Sequence, residues 1–248
     1  MNKISKTAKI TMLSTVSAIM LISSSAHAVQ KIRSPYVTKG KPNIELYGTY
    51  NFDDNNSKDG RMDTVLEIGY GVTDFWKPEL EIIFDDRPGQ SFKVNAYEII
   101  NKFQLTEKGK YFADVGLYTA WEKHTDNKKA DKIELHLLFS KDAGKLRHRA
   151  NILFEQQVGE NAKDDLEVGL SWQTVYKYSD DTKFGVEYFA DFGEFDKRTN
   201  YNDQSHQIGG IVIHEIEDQN LELKFGYLAG ISENAPDHTI RWVVEYKF

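Results

Sequence analysis

The 248-residue chain contains no cysteine, so neither a disulfide nor a thiolate metal site can hold it together. Backbone hydrogen bonds and packing must suffice. Proline is scarce, at five residues, and no Pro-, Gly- or Ser-rich linker divides the chain, which argues for one folded domain. Long apolar runs are missing as well: past residue 25, none approaches the roughly 20 residues that a membrane-crossing helix requires. Basic excess is also absent. With 31 Lys and Arg against 38 Asp and Glu, and no clustered basic patch, the chain lacks the positive face that nucleic acid would need.

The N-terminus carries a different signal. Lys3, Lys6 and Lys9 precede a mostly apolar stretch from Ile10 to Ser25, followed by Ala26-His27-Ala28. A basic segment, an apolar segment and small residues at the −3 and −1 positions make a secretory signal peptide, here with the cut after Ala28. Taking three lysines and no acids from a formal charge of −7 leaves −10 for the exported chain. The expected organisation is a signal peptide over 1–28, a short periplasmic segment over 29–42 and one folded unit over 43–248.

From residue 43 onward, apolar and polar side chains alternate in segments of about ten residues, the period of a β-strand. Leu166, Val168, Leu170, Trp172, Thr174 and Tyr176 share one face, opposite Glu167, Gly169, Ser171, Gln173, Val175 and Lys177. A helix of period 3.6 would not sort them this way. Twelve strands are predicted, over 43–52, 62–72, 75–85, 93–104, 111–121, 131–140, 145–157, 164–178, 182–193, 204–215, 219–231 and 237–248. Ten is the alternative, because residues 93–103 fit either phase and Gly209-Gly210 interrupts the tenth, as a bulge would.

The predicted connections alternate in length. Thr73-Asp74, Thr106 to Lys110, Lys141 to Gly144 and Ser179 to Asp181 are tight, whereas Asp53 to Arg61, Asp85 to Phe92, Glu122 to Ala130 and Phe195 to Asp203 are longer and polar. Short turns on one side and long loops on the other are the habit of a single-chain membrane barrel. Aromatic residues collect at strand ends, with Phe75, Trp76, Phe103, Tyr111, Phe112, Tyr176, Tyr178, Phe184, Tyr246 and Phe248 at the periplasmic rim and Tyr50, Phe52, Phe84, Trp121 and Phe192 at the other. Amphipathic rings settle at the headgroup level of a bilayer. The fold expected is an all-β, transmembrane, antiparallel up-and-down barrel whose apolar face meets lipid.

The last segment, Arg241-Trp242-Val243-Val244-Glu245-Tyr246-Lys247-Phe248, alternates without fault and ends on an aromatic. It resembles the C-terminal strand of Gram-negative outer-membrane β-barrel proteins. That resemblance implies an outer-membrane location and recognition by the barrel-assembly machinery through Trp242, Val244, Tyr246 and Phe248. It also implies contact with membrane lipid and lipopolysaccharide.

With the apolar face outward, the residues predicted to line the lumen include Glu67, Glu79, Glu81, Asp114, Glu134, Arg147, Arg149, Glu155, Glu167, Glu187, Glu222, Lys224, Arg241 and Glu245. Acid exceeds base among them, the arrangement of a pore favouring cations or neutral polar solutes. A lumen closed by its own ion pairs, leaving a structural or surface-interaction barrel, is the alternative. Catalysis has no constellation behind it: Ser205 and His206 are immediate neighbours and would point to opposite faces of a strand, whereas Ser–His chemistry needs both on one side. No cofactor or metal motif is found, and the Asp54 to Gly60 stretch lacks the closing acid of a calcium loop. The expected function is porin-like passage of small polar solutes through a monomer.

Overall fold

The computed structural model describes residues 30–87, 91–197 and 199–248; the signal peptide and its cleavage point lie outside these. Alternating side chains drive twelve strands: β1 (Pro42–Phe52), β2 (Met62–Tyr70), β3 (Trp76–Asp86), β4 (Lys93–Gln104), β5 (Asp114–His124), β6 (Asp131–Ala143), β7 (Leu146–Val158), β8 (Leu166–Lys177), β9 (Thr182–Glu194), β10 (Ser205–Ile216), β11 (Leu221–Gly230) and β12 (His238–Lys247). Each pairs with its sequence neighbour, and β12 returns to β1, so the sheet is a closed barrel. The closing seam is antiparallel and unbroken from Asn43 opposite Lys247 to Phe52 opposite His238. Closure leaves no row of bare N–H and C=O groups, which a bilayer would not tolerate.

Burial runs opposite to that of a water-soluble barrel. Glu67, Glu81 and Glu187 are at most 1% exposed, while Ile68, Leu80, Ile99, Phe225 and Tyr227 stand out from the wall. Charged residues therefore face inward and aliphatic ones outward, with exposed aromatics at the rims, among them Phe75, Tyr178 and Phe248 at one end and Phe52 and Trp121 at the other.

Three expectations need correction. Tyr111 and Phe112 were expected to open the fifth strand, but β5 begins at Asp114 and the connection runs over 105–113. Side-chain bonds hold it: Gly109 N donates to Asp114 Oδ1 at 2.6 Å and Val115 N to Thr106 Oγ1 at 2.8 Å. Gly209-Gly210 makes no bulge, and β10 keeps register with both neighbours through the pair. A Cβ at Gly209 would sit 1.8 Å from the Tyr227 carbonyl oxygen, so glycine answers a close approach between strands. Register shifts lie instead at Ile83/Phe84 and at Glu167/Gly169.

The largest departure is the segment ahead of β1. Expected on the periplasmic side, it enters the barrel. Val37 N donates to Gln104 Oε1 at 2.9 Å, the Tyr36 hydroxyl to Asp114 Oδ2 at 2.6 Å, and Arg33 N to Asn151 Oδ1 at 2.7 Å. Farther in, Gln30 meets Gln207 and Arg241. Twelve extended residues reach about 40 Å, more than the roughly 25 Å of a barrel's apolar band. The chain thus rises from the end where β1 starts into the other half of the lumen.

Candidate functional site, the barrel lumen

The strand register brings glutamates directly opposite one another across successive strands. Glu215 faces Glu222, Glu222 faces Glu245, Glu245 faces Glu45, and Glu45 faces Glu67. The row continues from Glu67 to Glu81, Glu98 and Glu122. Because barrel strands are tilted, a row perpendicular to them climbs along the axis. Glu215 and Glu222 lie beside the chain-terminal end of the barrel, and Glu122 lies two residues from the opposite end of β5. The row is a carboxylate staircase from one mouth towards the other.

Like charges directly opposite one another repel, so the staircase needs cations. At its foot, Lys224 and Lys247 each lie 2.8 Å from Glu222. At its middle, the threaded segment supplies them: Lys31 reaches Glu45 at 2.9 Å and also Glu67, and Arg33 reaches Glu67 at 3.3 Å and Glu81 at 3.2 Å. Tyrosine rings back both cations, with Lys31 4.4 Å from the centre of Tyr47 and Arg33 4.3 Å from that of Tyr118. Tyr47 also donates to Glu81 at 2.8 Å.

At the head of the staircase Lys132 lies opposite Glu122, and the other partners are neutral or weakly basic. The Tyr118 hydroxyl donates to Glu98 at 2.6 Å, His124 Nε2 lies 3.1 Å from Glu122, and His136 Nε2 lies 2.9 Å from Glu134. Glu98, Glu122 and Glu134 are all buried, with one oxygen of each within 4.8 Å of the others. Oxygen-only clusters of this kind suit hard cations. Among the described residues Asp165, Glu194 and Asp196 form a second such group, in and beside a loop.

Of the residues predicted to line the lumen, Glu67, Glu79, Glu81, Asp114, Glu134, Glu187, Glu222 and Arg241 are buried inside the wall. Arg147, Arg149, Glu222, Lys224 and Glu245 border a cavity of about 470 Å³ at the chain-terminal end. Glu155 and Glu167 border a second, of about 220 Å³, at the other mouth. The latter also collects Arg87, Lys128, Lys129 and Lys163; burial first, then the nearby Arg87 cation, lowers the Lys129 pKa. That outer chamber is basic, a feature the sequence reading missed because Arg87 and the lysines are scattered over three loops. Glu187 accepts from Gln173 at 2.6 Å and pairs with Arg241.

Sequence reasoning also missed Glu45, Glu98, Glu122, Lys31 and Arg33. Glu98 lies in the strand whose phase was ambiguous, and Glu122 just past the predicted end of its strand. Lys31 and Arg33 sit in a segment with no periodicity to read. Ser205 and His206 do face opposite sides, Ser205 inward beside Gln207 and His206 bonded to Tyr188 at 2.7 Å outside.

A closed antiparallel barrel with a charged interior and an apolar exterior is the architecture of outer-membrane β-barrels. No family model matches the chain, and no curated protein does. Solved structures do. The chain is similar to an outer membrane channel from Pseudomonas putida F1, at a TM-score of 0.65 and 13% identity over 89% of this chain and all of that one. It is likewise similar to the NanC porin, at 0.60 and 11% over 83% of this chain and all of that one. The KdgM porin follows at 0.57 and 11%, over 83% of this chain and 99% of that one. At such identities the likeness is one of fold, and the fold is that of outer-membrane porins.

Proposed function

We propose that the protein is a porin-like channel of the bacterial outer membrane that passes small polar solutes and favours cations over anions. The carboxylate staircase carries this reading, since a row of glutamates between the two chambers offers a cation successive carboxylate sites. Conduction requires binding strong enough to admit an ion, and sites close enough to let it leave. The chambers at both mouths and the porin fold support passage of solutes, and the cation preference rests on the row alone. The reading is non-enzymatic, with the channel acting as a single chain among lipid and lipopolysaccharide.

Trp242, Val244, Tyr246 and Phe248 would serve assembly by the barrel machinery. Val244 and Tyr246 are exposed on the outer face of the closing strand, and Phe248 is exposed just past its end.

The test is single-channel recording of the refolded mature protein in a planar bilayer under a salt gradient. Discrete steps with a cation-selective reversal potential are expected, and Glu98→Gln with Glu122→Gln should move that potential towards zero. A folded barrel that never conducts would refute the channel.

A further inference from the structure

The staircase is continuous in the wall but covered midway, by side chains that do not belong to the wall. We propose that residues 30–38 are an internal filter, in which Lys31 and Arg33 set the conductance and charge selectivity of the lumen by occupying Glu45, Glu67 and Glu81. This deepens the channel reading and rests on it.

The wall is shaped to receive the segment. A Cβ at Gly116 would lie 2.9 Å from both Cα and Cβ of Pro35, and one at Gly71 would lie 2.0 Å from the Thr38 carbonyl oxygen. Either side chain would push the segment away, so these glycines leave it room. Asn151, fully buried, clamps Arg33 from both sides of its backbone: its Oδ1 accepts from Arg33 N at 2.7 Å, and its Nδ2 donates to Arg33 O at 3.1 Å. Ile32 packs against Phe189 and Leu228.

The segment is nevertheless bonded differently from the wall. Its backbone groups at Gln30, Arg33 and Val37 bond to the side chains of Arg241, Asn151 and Gln104, not to a strand ladder. It can therefore be displaced without opening the barrel.

The electrostatics follow from position. Below the segment, Glu215, Glu222 and Glu245 are already matched by Lys183, Lys224 and Lys247; above it, Glu98, Glu122 and Glu134 face tyrosine, histidine and Lys132. Lys31 and Arg33 cover the carboxylates between, and their positive charge is a barrier to an entering cation. A lumen without them would bare Glu45, Glu67 and Glu81 midway along the row, with higher conductance and stronger cation preference.

The absence of native cysteine makes the position testable by itself. Ile32→Cys, at the contact with Phe189 and Leu228, provides the only thiol. It should resist a water-soluble maleimide in the folded barrel and react readily in the urea-unfolded chain. Deletion of residues 29–38 from the mature chain should raise unit conductance several-fold and shift the reversal potential further towards cations. Lys31→Gln with Arg33→Gln, which keeps the backbone clamp, should give the same shift in selectivity if the deletion fails to assemble. Full maleimide reactivity of Ile32→Cys in a folded barrel, or wild-type conductance and selectivity in the deletion and the charge variant, would overturn the filter while leaving a conducting channel in place. Silence of the wild type and of every folded variant would instead remove the channel reading and the filter with it.

Discussion

A carboxylate hidden from water is stable only when its charge is met, and the lumen supplies the pairs one residue at a time. Glu187 has no measurable exposure and Arg241 only 3%, so the cost of ionisation falls on their mutual contact and on Gln173. Arg241→Leu should therefore destabilise the barrel by about 3 to 5 kcal/mol, the usual penalty for stranding a buried charge, measured by urea unfolding in lipid vesicles. Asn151→Ala removes both bonds to the Arg33 backbone and should cost about 1 to 3 kcal/mol by the same measurement. It should also loosen the segment without changing any charge. Alternation in the sequence was enough to place Glu187 and Arg241 inside. It could not reveal that Lys31 and Arg33 answer Glu67 and Glu81, because that pairing depends on a non-repetitive segment turning back into the barrel.

Among the elements, the seam between β1 and β12 bears the most. Trp242 lies over Gly48 so closely that a Cβ there would come within 2.6 Å of the indole. Gly48→Val should displace the ring and cost about 1 to 3 kcal/mol, seen as a lower temperature for loss of the compact form on gels. Deletion of Phe248 removes an exposed residue just past β12, so it should lower the yield of assembled protein far more than the stability of barrels already formed. Equal yield of that variant in the outer membrane would contradict its role in assembly.

β4 marks the limit of sequence reading at this scale. Ala96, Glu98, Ile100 and Lys102 form one face and Tyr97, Ile99, Asn101 and Phe103 the other, each mixing apolar with polar residues, so neither face declares itself. The fold decides: β4 is held between β3 and β5, and its inward residues Ile100 and Ala96 are fully buried, Ile100 against Tyr118 and Leu138. The tenth was ambiguous too, because Gly209-Gly210 interrupts its alternation; the other ten strands were legible from their alternation. Ile99→Arg, on the lipid side, should impair membrane folding by about 2 to 4 kcal/mol near mid-bilayer.

For the whole molecule, strand count, closure and facing were written in the alternation and the aromatic rims, whereas the row of glutamates was not. Eight strands, β10 to β12 and β1 to β5, each contribute one carboxylate at a position set by register, and register depends on turn lengths and bulges that the sequence left open. The function depends on that row, and the row on which side of the wall meets lipid. The most direct test places single spin labels, through introduced cysteines, at residues 97 to 103 of β4 in reconstituted bilayers. Collision with oxygen should peak at 97, 99 and 103 and fall at 98, 100 and 102, a period of two with the apolar face outside. The opposite phase, or equal accessibility at every position, would contradict the inside-out barrel on which the account stands.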